Sequence, residues 1–434
     1  MPETLCASTG AISATMRAQI RRIRRLQWQV RSACALQGMH ITLESSAKSR
    51  ILGMRSAPSR RRISCAHTSS FMLRHTCCLC SRLRSGGFCM LRYEHGGDVY
   101  GNADAALDFS VNVNPLGMPD GVKHALISHA AEYARYPDPK CRVLCAALAD
   151  RHGLMPEQVL CGNGAADLIF RIAACFRPKR ALVPAPAFSE YERAVTAFGG
   201  IMQEHLLSEA NGFALTEEFL KDITPETELV FLCTPNNPTG RLIDPDLIRN
   251  IAEACRKNGA ILVLDECFIG FTEGKSMAQE LDNYPNLIIL SAFTKLYAMA
   301  GLRLGYLLVG DAALLARIAA FGAPWSVSGP AQAAGRAALA EQGWEERTRR
   351  LIAAERGYLQ KTLPAYGVDA IPSDANFLLL KCATPLYVPL RARGVLVRDC
   401  SNFTGLDTRF IRVGVQTHEN NQALVRAVSE VLNG

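Results

Sequence analysis

LVFLCTPNNPTGRLIDPDLIRNIAEACRKNGAILVLDECFIGF, residues 229–271, decides how the rest of the chain is read. LVFLCTP and AILVLDE are short, almost wholly apolar runs, each ending in a turn or a polar group. Such runs suit strands of a sheet covered on both faces. Between them, DPDLIRNIAEACRKNG opens with acids and closes on Lys-Asn-Gly, as an amphipathic helix does. Strand, helix and strand in this order form the unit of a parallel sheet.

The same pattern extends outward through ALVPAP (181–186), LIILSAF (287–293) and LGYLLVG (304–310). Past about residue 325 it changes to a long polar helix, EQGWEERTRRLIAAERGYLQKTL, and then to the strands ANFLLLK, VLVRD and FIRVGV. The expected architecture is α/β, with a large, mainly parallel sheet flanked by helices and a smaller α+β domain. Its expected divisions are a basic segment 1–89, an N-terminal arm with part of the small domain at 90–125, a large domain at 126–324 and a C-terminal small domain at 325–434.

Charge and cysteine separate one end from the body. Residues 1–90 hold 15 Lys or Arg against Glu3 and Glu44, a balance of +13, whereas the whole chain carries +8 and residues 91–434 therefore −5. The overall basicity thus says little about the body's partners. Seven of 16 cysteines lie before Met90, and the other nine are scattered through apolar stretches, as buried free thiols are. No apolar run approaches the length of a membrane span, roughly 18–20 residues. A cytoplasmic protein with neither membrane nor nucleic-acid partners is expected.

Four readings compete for residues 1–89. The Arg- and Ser-rich, acid-poor composition resembles a transit peptide. A basic arm would suit a transcription regulator built on an enzyme-like domain, although no winged-helix pattern is visible. Cys65, His67, Cys77, Cys80 and Cys89 hold a single C-x-x-C pair, short of a zinc site. The reading preferred here is translated upstream DNA with the natural start at Met90, immediately before LRYEHGGD. No metal is expected.

Ligands of such sheets bind at the carboxyl ends of strands. VLCGNGAADLIF puts Gly162-Asn163-Gly164 before a helix starting near Ala165, where free N–H groups can meet a phosphate. LCTPNNPTG ends a strand with the amides of Asn236 and Asn237, although Asn, Pro and Gly also suit a plain turn. AILVLDE buries Asp265, which needs a cationic partner or a proton. SAFTKLYAMAGLRLGY (291–306) adds Ser291, Thr294, Lys295 and Arg303. A desolvated lysine can bond an aldehyde, and Arg303 with two hydroxyls can hold a phosphate dianion. Phosphate cradle, buried acid, amide donor and lysine together are what pyridoxal phosphate requires.

On these motifs, residues 91–434 resemble fold-type I pyridoxal-phosphate enzymes of the class I/II aminotransferase superfamily. The resemblance implies that Lys295 holds the cofactor aldehyde, that Asp265 pairs with the pyridine nitrogen and that Asn237 bonds the ring hydroxyl. It assigns the phosphate to Gly164, Ala165, Ser291, Thr294 and Arg303, and the ring face to Phe188 in PAFSEY. Tyr136, in RYPDP, would reach the cofactor phosphate of a second subunit, which implies a homodimer.

Two sister groups share these features, histidinol-phosphate aminotransferase and threonine-phosphate decarboxylase of cobalamin synthesis. HGGD (95–98), DFSVNVNPLG (108–117), KLYAMAGLRLGY and VRDCSNFTGL (397–406) lean towards the decarboxylase. So does Phe268, at a position where aminotransferases usually carry a tyrosine. The resemblance implies a small phosphorylated amino acid as substrate, with its anionic ends on Arg398 and Arg412. His95 and Asn114 are expected to close the site over it.

Overall fold

The computed structural model describes residues 95–97, 99 and 107–434. The readings of segment 1–89 lie outside the described residues.

The strands, in chain order, are β1 (Leu107–Asp108), β2 (Val159–Gly162), β3 (Arg180–Ala185), β4 (Ile201–Leu206), β5 (Leu229–Cys233), β6 (Ile261–Asp265), β7 (Leu287–Ala292), β8 (Gly305–Val309), β9 (Val368–Ala370), β10 (Phe377–Cys382), β11 (Val395–Leu396), β12 (Arg398–Asp399) and β13 (Phe410–Gly414). Seven of them form one sheet in the order β2-β8-β7-β6-β5-β3-β4. All run parallel except β8, which is antiparallel to both of its neighbours. A second, antiparallel sheet has the order β12-β13-β10-β9, and β1 pairs with β11.

The chemistry of the opening stretch accounts for its form. Every residue of β5 is buried, and β6 is buried after its first residue, because helices cover both faces. Between them lies a helix at Pro245–Lys257. Asp244 caps it by accepting a hydrogen bond from the Asp246 amide, and Pro245 occupies the first turn, where no N–H is needed. Behind Asn258 the chain leaves the helix through Gly259 at φ +73°. The long polar stretch is a helix at Trp344–Thr362. The sequence leaves β4 and β9 unmarked: β4 is an end strand with a half-exposed mix of residues, and β9 has three residues.

Strand direction gathers the functional residues. The parallel strands β2, β5, β6 and β7 end on one edge of the sheet, at Gly162, Cys233, Asp265 and Ala292. Antiparallel β8 starts on that edge, with Gly305 in register with both Gly162 and Ala292. Its reversal therefore brings Arg303 beside the GNG turn. Residues 107–114 join this edge to the smaller sheet: the Gly414 amide donates to Phe109 O (2.8 Å), and the Asn114 amide donates to Lys295 O (3.0 Å).

Candidate functional site

A cavity of about 440 Å³ opens at this edge, with the smaller sheet as its other wall. Lys295 follows directly after β7 and lines it. Burial, reinforced by the Arg412 charge, pushes the Lys295 ammonium down to about 8. Asp265, at the end of β6, accepts hydrogen bonds from the Tyr191 hydroxyl (2.7 Å) and the Cys267 amide (2.9 Å). Burial raises this carboxyl, while those donors and Lys295 pull it back towards the charged form. Tyr191, a residue the sequence reading missed, stacks on Phe231 at 4.8 Å and stands edge-on to Phe188 at 5.6 Å. Its hydroxyl is pushed well above the usual phenol range by burial and by Asp265, so it stays a donor.

The turn after β2 is cut to shape by glycine. Gly164 opens the helix Gly164–Phe176 at φ +79°, and a Cβ there would stand 2.7 Å from Arg303 Nη2. A Cβ on Gly305 would stand 2.7 Å from the Ala165 amide nitrogen. Only without those side chains can the guanidinium and the free N–H groups of the helix start approach one another. Arg303 donates through Nη1 to Ala300 O (3.1 Å). Beneath the turn, Asp167 accepts from the Asn163 amide (2.8 Å) and from both Nε and Nη2 of Arg171 (3.0 and 2.7 Å). Thr294, Ala165 and Phe188 also line the cavity.

Three expected residues stand elsewhere. Ser291 belongs with Tyr306, His152 and Glu266 around a separate cavity of about 180 Å³. Side chains alternate along a strand, so the next residue, Ala292, takes the place at the cavity and offers no hydroxyl. Asn114 is a structural tie: its Nδ2 donates to Leu296 O (2.7 Å) and Thr348 Oγ1 (2.8 Å), and it does not line the cavity. Asn112, two residues earlier, does so instead, buried and with Oδ1 unpartnered. Tyr136 is 82% exposed, its ring tilted against Trp325 with centroids 4.8 Å apart, and the single chain does not bring it to the cavity.

The opposite wall is strongly cationic. Arg398 on β12 and Arg412 on β13 are direct cross-strand partners, and both line the cavity although each is buried. Arg412 donates to Asn237 Oδ1 and, through Nη2, to Ser110 O (3.0 Å), while its Nε has no partner. Burial brings its guanidinium down to about 10. Arg398 donates to Asp399 O and lies over the Phe403 ring at 4.9 Å. Phe268 is buried and meets Phe377 edge-on at 5.0 Å. At the mouth, His95 Nε2 lies 3.0 Å from Glu190 Oε1, and Arg193 Nη1 approaches the same oxygen at 3.3 Å. Glu190 lines the cavity and was also missed in the sequence.

A half-buried lysine, a buried acid and an anion cradle at one sheet edge define a family. The model for aminotransferases of class I and II matches residues 105–428, and the chain belongs to that family. The threonine-phosphate decarboxylase of Salmonella typhimurium is 38% identical to it over 352 residues, which span 78% of this chain and 97% of the relative. Among solved structures, L-threonine-O-3-phosphate decarboxylase from Porphyromonas gingivalis superposes with a TM-score of 0.67 at 27% identity, covering 76% of this chain and 100% of that one. Histidinol-phosphate aminotransferase from Clostridium acetobutylicum gives 0.71 at 28% identity, covering 75% and 99%. Among the described residues, no helix is long and apolar enough to cross a membrane.

Proposed function

We propose that the chain is a pyridoxal-phosphate-dependent lyase. It decarboxylates O-phospho-L-threonine, or a close relative such as phosphoserine, to the amino-alcohol phosphate used for the cobalamin nucleotide loop. The observation that carries this reading is the register of Arg398 with Arg412, across the cavity from Lys295 and Asp265. Like charges directly opposite on paired strands destabilise the pair. Two cations kept there suit a substrate that brings two anionic groups. Phosphothreonine has a carboxylate and a phosphate, as the Salmonella relative's name requires. Histidinol-phosphate transamination is the second reading, supported by the Clostridium structure and by 2-oxoglutarate, which also has two anionic ends. Phe268 favours the first, because it has no hydroxyl to offer a cofactor.

The residues fit the cofactor. Glycines hold open an anion cradle that Arg303 enters from one side and the helix start from the other. A buried acid lies across the cavity from it, with the lysine at the same sheet edge and Phe188 on the lining. Bound there, pyridoxal phosphate supplies an electron sink for the pair left on Cα when CO2 departs. Asp265, raised by burial and partly drawn back by its two donors, would pair with the ring nitrogen and favour a proton there. Phe188 would cover a ring face, and Asn237 would offer its amide Nδ2, since its Oδ1 serves Arg412. Lys295 titrates at about 8, so near neutrality it can carry a proton and deliver it to Cα. Arg398 and Arg412 orient the two anionic ends, and that orientation sets which Cα bond lies perpendicular to the ring. His95 covers the mouth of the cavity.

A homodimer belongs to this reading. The pair Tyr136 and Trp325, with Phe321 also exposed, is an aromatic surface suited to a second copy, whose cofactor phosphate Tyr136 would reach. Sedimentation at micromolar concentration tests it, and a monomer would refute it.

The test of the activity is direct. Phosphothreonine should yield CO2 and aminopropanol phosphate, whereas histidinol phosphate with 2-oxoglutarate should yield little glutamate. Glutamate from the second mixture with no CO2 from the first would overturn the choice.

A further inference from the structure

Nothing above uses the thiols of Cys145 and Cys161. Cys145 lies on the helix Arg142–His152 and Cys161 on β2, both buried, with their Sγ atoms 3.7 Å apart. The Cys141 thiol also adjoins Cys161. Among the described residues, no group of three or more His, Cys, Asp or Glu could hold a metal ion, so the chemistry open to this cluster is that of thiols. We propose that Cys145 and Cys161 form a peroxide-reactive dithiol whose closure to a disulfide loosens the phosphate cradle.

A disulfide holds its sulfurs at about 2.05 Å, so the two atoms need approach by only about 1.6 Å. The thiols are not equivalent. Cys145 lies near the start of the helix Arg142–His152, where the helix N-terminus favours a thiolate, whereas Cys161 lies inside β2; the hydrogen bond between them lowers Cys145, and hydrogen bonds with Cys141 and Cys145, then burial, raise Cys161. Cys145 is therefore the attacking sulfur. Its thiolate attacks one oxygen of hydrogen peroxide; an S–O bond forms, the O–O bond breaks, and the departing hydroxide takes up a proton to become water. The Cys161 sulfur then attacks the sulfenic sulfur; the S–S bond forms, the S–O bond breaks, and a second water leaves. Two thiols are oxidised and one peroxide is reduced.

The consequence follows from position. β2 is the end strand of the large sheet and pairs only with β8. Cys161 stands opposite Tyr306, and the next residue, Gly162, opposite Gly305. Two residues beyond Gly162 is Gly164, against which the Arg303 guanidinium packs. Drawing Cys161 towards the helix Arg142–His152 pulls this turn away from Arg303. Gly162 has no slack to absorb the movement, since even a Cβ there would stand 2.6 Å from the Leu168 side chain.

The coupling to the cradle rests on the cofactor reading above, whereas the disulfide itself does not. The test treats reduced, cofactor-loaded protein with hydrogen peroxide, maps peptides without reduction and follows release of pyridoxal phosphate. The expected main product is the Cys145–Cys161 cross-link, and release should quicken about tenfold as a charge-assisted phosphate contact weakens. Dithiothreitol should reverse both effects, and Cys145→Ser and Cys161→Ser should each prevent them. A Cys141–Cys161 link, or first oxidation at half-buried Cys175 or Cys267, would overturn the pairing. The expected cross-link with unchanged release would overturn the coupling. Reduced protein that binds no pyridoxal phosphate would instead refute the cofactor reading, with the peptide map still judging the dithiol.

Discussion

The two walls of the cavity are built on opposite terms. On the large-sheet wall the charged groups find their partners within the chain: both Asp265 oxygens accept hydrogen bonds, and Arg303 is tied to Ala300. On the small-sheet wall, Arg412 Nε and Asn112 Oδ1 are buried without partners, and two arginines face each other across strands. Buried polar groups without partners are costly. On the proposed function, the first wall is complete before substrate arrives, whereas the second is left for substrate to complete. Reaction chemistry should therefore be lost by changes to the first wall, and substrate choice altered by changes to the second.

The largest break in this contrast is Lys295→Ala. It should reduce kcat by about 10⁴-fold, the upper range for a positioned proton-transfer group, and it should abolish the covalent cofactor absorbance. Lys295→Met should also change how stability depends on pH in the cofactor-free protein. Burial brings the Lys295 ammonium down to about 8 in the fold, from an ordinary value of 10.5. Between those values the unfolded chain binds the extra proton, so stability should rise with pH across this window. The wild-type melting temperature, measured from pH 8 to 10, should gain relative to Lys295→Met. Equal slopes would place the lysine in a solvated position.

Arg412→Met tests the other wall and should act on binding. Loss of its charged hydrogen bonds should lower kcat/KM by about 10- to 100-fold, mainly through KM. Phosphothreonine should raise the melting temperature of the wild type and not of the variant. A fall in kcat alone would mean that Arg412 belongs functionally with the cofactor wall.

The two walls also differ in how far the sequence revealed them. The large-sheet wall was legible because strand ends are marked: an apolar run stops at Asp265, another stops before Lys295, and glycines flank the turn beside Arg303. Ser291 was misread because a serine one position from the cavity looks the same in a linear motif, although alternation along β7 turns it to the far face. Glu190 and Tyr191 carry no local signal, since their partners, His95 and Asp265, are 95 and 74 residues away. The register that opposes Arg398 to Arg412 depends on pairing two distant strands, so the cationic wall could be assembled only in three dimensions.

Phe268→Tyr sharpens the comparison at the boundary between the walls. The added hydroxyl should bring the variant closer to the aminotransferase arrangement. The ratio of keto-acid to aminopropanol phosphate formed from phosphothreonine should rise about tenfold, the worth of one hydrogen bond of about 1.4 kcal/mol. Product ratios by mass spectrometry, with 2-oxoglutarate present or absent, would measure it. An unchanged ratio would assign reaction choice to the arginine wall alone.

The smallest effect is expected at the mouth. Glu190→Gln keeps the shape of the helix start but removes the charge that meets His95 at 3.0 Å and Arg193 at 3.3 Å. His95 is 41% exposed, so solvent screens the pair and its worth is that of a surface contact, up to about 1 kcal/mol. KM for phosphothreonine should therefore rise only about threefold, with kcat unchanged. Because the carboxylate also repels anions, the opposite result is informative. A lower KM in Glu190→Gln would mean that the charge screens the mouth against anions, and His95 would then owe its position to the neighbouring Gly97 amide, which donates to Ser110 Oγ (2.7 Å), and not to Glu190.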